Sequence, residues 1–390
     1  MGVEVVTAEK MAAGGDALGR LADGRVVFID GALPGEIVRV DVHTNKRDFA
    51  RGSVDEVVEP SPIRVRPPCP ELHRGCGGCG WQHIAPQEQL GLKVAIVREA
   101  LARTARMPEA EVSAGGEVPP WTYRTTMRVA SVGSRVGLRA AASHRVVPLD
   151  SCLVVHPAIA AALPSIRVSA ECELTLRVSA ATAEMTALCD TEGTRVDGLP
   201  PHATVGPTAT LHDDVAGVRL RVSAASFFQS GPAAAALLVD SVRTALGPVD
   251  AADTVLDAYG GVGLFAATVT TGRVVLVESS PQACSDAVAN LGGRATVECV
   301  EFERWTPRPV DVVVADPARV GLGRGGVASL VATGASRVVL VSCDPVTMAR
   351  DAALLCASGY RHAGATVLDL FPQTPHVEVV TRFELVRDAS

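Results

Sequence analysis

Short apolar runs and longer amphipathic stretches alternate through the last third of the chain. The runs are TVLDAYGGVGLF (254–265), RVVLVESS (273–280), ATVECVEF (295–302), VDVVVADPARVG (310–321), RVVLVSCDP (337–345), ATVLDLFPQ (365–373) and HVEVVTRFELV (376–386). Near-continuous apolar strands about 20 to 30 residues apart, with helices between them, predict a doubly wound parallel sheet. The last two runs are separated only by a short proline-containing turn and are expected to pair antiparallel. SGPAAAALLVDSVRTAL (230–246) reads as a helix ahead of this sheet, with Ser230 placed to cap it and Pro232 in its first turn.

The first 60 residues show a different rhythm. VEVVTAEKM, GRVVFIDGAL, EIVRVDVHTN and FARGSVDEVVEP are closely spaced strand-like runs punctuated by Ala-Asp-Gly (22–24) and Leu-Pro-Gly (33–35). Such spacing predicts a small β-barrel. PSPIRVRPPCP (60–70) is a stiff exit from it. The middle is less regular: a cysteine cluster, a helical stretch (85–104), several β-like runs, and turn-rich loops around 106–120 and 190–216. The expected division is 1–62, 67–225 and 226–390, an α/β protein with an OB-like barrel, a mixed α+β centre and a C-terminal parallel sheet.

Composition narrows the class. A 47% hydrophobic and 20% charged chain of 390 residues is globular, and its net charge of −7 argues against a generic polyanion binder. Charge is uneven, however: residues 121–149 hold Arg124, Arg128, Arg135, Arg139 and Arg145 without one acidic residue. That stretch is either a local RNA-binding face or a solvated strand surface. The start, MGVEVVTAEK, lacks the form of a secretory signal, and no apolar run approaches the ~18 residues that span a bilayer. A cytoplasmic, soluble monomer is expected. Ten cysteines in that setting point to metal binding or catalysis where they cluster.

Two places carry chemistry. LDAYGGVGLF (256–265) puts glycines between a strand and a helix, where backbone approaches a ligand closely, and Glu278 ends the next strand, where a carboxylate accepts ribose hydroxyls. The pattern fits S-adenosylmethionine as well as a dinucleotide. Cys343 ends an apolar run at the rim of the sheet, where ligands gather. Asp344 follows it, and a pairing with Arg350 is expected to offset that neighbouring negative charge.

SFFQ (226–229), LDAYGGVG, ADPARVG (315–321), VSCDPVTMARD (341–351) and FPQTPHVEVV (371–380) occur in that order. Together they resemble the RNA 5-methyluridine methyltransferases, enzymes with a class I (Rossmann-like) methyltransferase domain. GGDALGRLADGRVVFIDGALPGEIVRV (14–40) resembles the TRAM domain, an RNA-binding module, so the likeness runs over almost the whole chain and leans to the ribosomal-RNA branch over the tRNA branch. The resemblance implies methylation of carbon 5 of a uridine, with Cys343 the nucleophile that adds to carbon 6 and Glu378 the base that removes the carbon-5 proton. It places Asp316 at the uracil or its pocket, and Gln229, Tyr259, Gly261, Gly263, Glu278 and Glu301 at S-adenosylmethionine, with Asp316 near both. Arg124 and Arg128, in WTYRTTMR, face RNA on this reading. Trp81, Trp121 and Tyr123 either stack on bases or fill the core. Leu264 and Gly260 stand where relatives often carry Asn and Cys, which keeps a non-catalytic RNA-binding protein as the rival reading.

CPELHRGCGGCGWQH (69–83) supplies Cys69, Cys76 and Cys79, and SHRVVPLDSC (143–152) offers Cys152. Four thiolates suit zinc or an iron–sulfur cluster, and spacing does not separate the two. The resemblance implies a 4Fe-4S cluster, although the first gap here is six residues where the family shows five.

Overall fold

The computed structural model describes residues 3–386. The outer ends of the first and third expected domains, 1–2 and 387–390, lie outside the described residues. The N-terminal strands Val3–Met11, Ala17–Arg20, Val26–Asp30, Ile37–Asn45 and Phe49–Glu59 close into a barrel. The sequence pattern anticipates four of them. Ala17–Arg20 is too short to show alternation, and pairing with both neighbours makes it a strand.

The C-terminal half builds an eight-stranded sheet in the order Ala295–Cys299, Arg273–Glu278, Thr254–Ala258, Val312–Ala315, Arg337–Ser342, Glu378–Leu385, Tyr360–Asp369 and Val112–Glu117. The first five run parallel, and Glu378–Leu385 is antiparallel to both of its neighbours. The helices Pro232–Leu246, Pro281–Leu291 and Pro345–Ala357 lie in the connections. The helices Pro232–Leu246 and Pro345–Ala357 and the strands form two large clusters of buried residues, one on each face of the sheet, and Pro281–Leu291 adds a smaller one with Val274 and Leu276. A sheet covered on both sides needs strands apolar on both sides, which is why these runs read as continuous.

The edge strand Val112–Glu117 lies where a turn-rich loop is expected. Two glycines hide it in the sequence, but the sheet requires the first of them: a Cβ at Gly115 would stand 2.2 Å from a methyl of Thr366. The helix Pro86–Ala100 packs beside this strand, so residues 86–117 belong with the C-terminal sheet rather than with the centre, as their expected assignment had it. The centre proper is a six-stranded sheet that includes Thr126–Val132, Arg135–Arg139, Glu173–Val178 and Met185–Cys189. Ser230 does not cap the next helix. Gly231 holds the cap position, Pro232 opens the helix as expected, and the Ser230 hydroxyl donates to Leu370 O at 3.1 Å. Among the described residues no helix is long and apolar enough to cross a membrane.

Candidate active site and cysteine cavity

Parallel strands deliver their carboxyl ends to one edge of the sheet, so Tyr259, Glu278, Asp316 and Cys343, each at or just past such an end, share that edge. Glu378 arrives from the opposite direction. Its strand is antiparallel, Ser342 pairs with Val379, and the first residue of the strand therefore lies beside the last of its partner. Residues from five segments spread over some 120 positions thus meet by topology alone.

Burial pushes the Cys343 thiol up to about 11, reinforced by the carboxylates of Glu378 and Asp316 and opposed by the Arg319 guanidinium. Burial also holds Asp316 near 7. Glu378 is raised well above the usual carboxylate range by burial first and the charge of Asp316 second, again opposed by Arg319. At neutral pH the resting site therefore keeps its thiol protonated, and Arg319 is the cation that the thiol and Glu378 share. Arg319 also lies 2.8 Å from His376 Nδ1. A guanidinium only donates, so that nitrogen is unprotonated and accepts. Arg319 and His376 both stand inside motifs that the sequence singled out. Their facing each other depends on two loops meeting, and no local spacing signals it.

Asp344 does not pair with Arg350. It caps the helix Pro345–Ala357, accepting from the Val346 and Thr347 amides at 3.0 and 2.9 Å. Arg350 instead pairs with Asp351 at 2.7 Å and donates to Val320 O. The positive end of the helix meets the Asp344 charge, so no second cation is needed beside Cys343.

The glycine loop suits an adenosyl cofactor. Tyr259 and Gly261 adopt left-handed backbone, and a Cβ at Gly261 would meet only open space, as a ligand cradle requires. Glu278 is fixed by the Gly261 amide (3.0 Å) at one oxygen and by the Ser280 amide (2.7 Å) and Ser279 hydroxyl (3.3 Å) at the other, which leaves a lone pair on the first oxygen for a hydroxyl. Beneath the loop, Asp257 is fully buried. One oxygen accepts from the Ala266 amide at 2.8 Å, the other is unpartnered, and burial pushes the acid up to about 8. Gly260 is tied to this packing: a Cβ there would come within 2.6 Å of Leu276, whose side chain fills that space. Gln229 is buried just ahead of the helix Pro232–Leu246. Glu301 is not drawn in: it is exposed and paired with Arg304 at 3.0 Å. Glu303 is, through the Tyr259 hydroxyl at 2.5 Å.

The basic stretch is partly neutralised from outside itself. Arg128 and Arg139 pair with Glu173, and Arg135 with Asp150. Arg124 instead lies over the Phe371 ring, 5.8 Å from its centroid. It borders a cleft of about 510 Å³ also lined by Arg128, Thr126, Phe371 and Phe227. Phe227 is 73% exposed there, an unusual state for a phenylalanine. Trp81 and Tyr123 are core residues: the indole donates to Gly15 O at 3.2 Å and the phenol to Pro372 O at 3.1 Å. Trp121 is half-buried against the same core.

Cys69, Cys76, Cys79 and Cys152 line one cavity of about 130 Å³. The Cys76–Cys79 turn docks on the central sheet, with the Gly77 amide donating to Arg139 O at 3.0 Å; a Cβ at Gly77 would strike backbone 2.5 Å away. Buried Glu71 accepts from the Asp150 and Ser151 amides, each at 3.2 Å, and so draws Cys152 to the same place. Among the described residues no three ligand-type side chains converge on a single ion. Four thiols around one cavity are a donor set that suits zinc or an iron–sulfur cluster.

The fold and this site define a class I methyltransferase joined to an RNA-binding barrel. The TRAM domain family matches residues 4–54. A Streptomyces coelicolor protein described as an uncharacterized RNA methyltransferase is 32% identical, over 96% of this chain and 91% of its own. The 23S rRNA (uracil(1939)-C(5))-methyltransferase RlmD of Halomonas elongata is also 32% identical, over 95% of this chain and 87% of its own. In fold the chain is similar to the tRNA (uracil-54, C5)-methyltransferase of Pyrococcus abyssi solved with S-adenosyl-L-homocysteine, at a TM-score of 0.73 and 22% identity, covering 97% of this chain and all of that one. The chain belongs to the RNA 5-methyluridine methyltransferase family.

Proposed function

We propose that this protein methylates carbon 5 of a uridine in RNA, with large-subunit ribosomal RNA favoured over tRNA, through a covalent bond between Cys343 and carbon 6 of the uracil. The observation that carries this reading is the meeting of a half-buried thiol, two acids (Glu378 buried, Asp316 half-buried) and one arginine at the edge of the sheet beside the glycine loop. Carbon 5 of uracil is a weak nucleophile. Addition of the Cys343 sulfur to carbon 6 converts the ring to an enolate with electron density on carbon 5, the thiol's proton passing to Asp316, the acid held near neutrality. S-adenosylmethionine supplies a methyl group as a sulfonium substituent, and Glu278, Gly261, Tyr259 and Gln229 are the residues that would hold it. Glu378, as carboxylate, then removes the carbon-5 proton, the carbon–sulfur bond breaks, and the thiolate regains a proton.

The cleft with Arg124, Arg128 and Phe227 is suited to unstacked nucleotides next to the target, offering guanidinium groups to phosphates and a ring face to a base. The cysteine cavity would hold a 4Fe-4S cluster that braces the central sheet. The preference for ribosomal RNA is supported by the likeness to RlmD over nearly the full length.

The test incubates unmethylated large-subunit ribosomal RNA and tRNA separately with anaerobically purified protein and S-adenosylmethionine, then quantifies 5-methyluridine by mass spectrometry. Product is expected in ribosomal RNA and none with Cys343→Ala. Glu378→Gln is expected to turn over about 10²- to 10⁴-fold more slowly and to accumulate a protein–RNA adduct stable to denaturation. Product formed undiminished by Cys343→Ala would sink the covalent route.

A further inference from the structure

We infer that Gln89 and Gln373 form a clamp that positions Glu378 for proton abstraction, an inference that rests on the reading of Glu378 as the base. Among the described residues no hydrogen bond reaches the Glu378 carboxylate, so its place is set by its main chain, and that by the turn 370–377 which leads into its strand. This turn is held at nearly every residue. Lys93, itself fully buried, donates to Asp369 Oδ1 at 2.6 Å and to Phe371 O at 3.2 Å. Tyr123 takes Pro372 O. Pro375 lies so close to the barrel that a Cβ at Gly15 would come within 2.5 Å of it.

Gln373 is the centre of the arrangement. It is buried and sits at φ +69°, in left-handed backbone that a glutamine rarely adopts. Such a conformation persists only where the surroundings impose it, and it clusters where geometry matters for function. Gln89 and Trp81 impose it. Its amide donates to Gln89 Oε1 at 2.7 Å, its carbonyl accepts from the Trp81 amide at 2.9 Å, and its side-chain oxygen lies 3.2 Å from Gln89 Nε2. Gln89 Nε2 also reaches Trp81 O and Ile84 O, at 3.2 and 3.1 Å. One buried glutamine on the helix Pro86–Ala100 therefore ties together the segment 81–84 beside the barrel, that helix and the turn before the base. Gln89 touches no reacting atom; it acts through Gln373 and the strand that follows.

The test uses the full-length protein and its RNA substrate, with three variants. Gln89→Ala removes the clamp. Gln89→Glu keeps an acceptor for the Gln373 amide while losing the donors. Glu378→Gln is the control for the base itself. The readouts are kcat, KM for RNA, the fraction of denaturation-stable protein–RNA adduct, and thermal unfolding. Gln89→Ala is expected to lower kcat about 10- to 100-fold, the scale on which a misplaced reacting group is felt, with KM within about twofold and the adduct fraction raised. Gln89→Glu is expected to recover part of kcat and to lower the adduct again. A folded Gln89→Ala with unchanged kcat, or with slower turnover and no extra adduct, overturns the clamp. Should Gln89→Ala not fold, Gln89→Glu decides: wild-type kcat and adduct at a lowered unfolding temperature mean a structural role only. If Glu378→Gln itself accumulates no adduct, the base reading falls and the clamp with it, whereas adduct in Glu378→Gln alone removes the clamp and leaves the base.

Discussion

The thiol of Cys343 and the four thiols around the cysteine cavity meet burial alike and differ in what faces them. In the cavity, burial pushes Cys79 up to about 12; a hydrogen bond from Gln82 opposes this, and the other three thiols add to it. Like groups surround like groups there, and a bound cation would favour the thiolate form of such a set. At Cys343 the neighbours are two acids and one arginine, a mixed set in which a single thiol can be charged in turn. The same residue type thus meets like neighbours in one place and charged neighbours of both signs in the other. Neighbours distinguish the two places more than exposure does, since Cys343, Cys76 and Cys152 are all half-buried.

The comparison breaks first at the cavity. Cys79→Ser is expected to bring iron to background in anaerobically purified protein and to cost about 3–5 kcal/mol of stability, as loss of a metal or cluster does. In the same variant iodoacetamide should label Cys343 at an unchanged rate once the folded fraction is taken into account. Altered labelling of Cys343 would show that the two sites are coupled. Next in size is Arg319→Gln, which removes the cation the Cys343 site shares. An opposing charge within a few ångströms shifts an acid by about one unit or more, so labelling at pH 8 should slow about tenfold or more. The sign follows from the thiolate being the reactive form: in the parent protein labelling rises with pH through the alkaline range towards about 11, and the variant's curve moves further up. A curve that moves down would remove Arg319 from the site's electrostatics. Smallest is Asp344→Asn. Asparagine caps a helix as well as aspartate, so stability should stay within about 0.5 kcal/mol. The pH profile for labelling Cys343 should stay where it is, because the helix amides already meet the Asp344 charge.

Much of this was legible before any coordinates. Cys343, Asp316 and Glu278 could be placed at strand ends because apolar runs and glycines mark where strands stop. The four thiols were legible as a set although Cys152 lies more than 70 residues beyond Cys79. Other readings failed where a partner came from far along the chain. The expected Asp344–Arg350 pair gave way to a cap on one side and to the neighbouring Asp351 on the other. The basic stretch 121–149 gives no sign of Glu173 and Asp150, which lie outside it and pair with three of its five arginines. The edge strand Val112–Glu117 was concealed by glycines whose smallness only the neighbouring strand explains.

The sequence by itself determined the periodicities, and with them the barrel, the parallel sheet and the residue types available to each strand end, because hydrophobic repeat and turn chemistry act over a few residues. The tertiary structure decided which of those ends meet. Glu378 stands beside Cys343 because its strand runs antiparallel; Arg319 faces His376 because two loops close on one another; and Gln373 is held left-handed by a glutamine 284 residues away. Charge, burial and hydrogen bonding act over a few ångströms of space, whatever the distance along the chain.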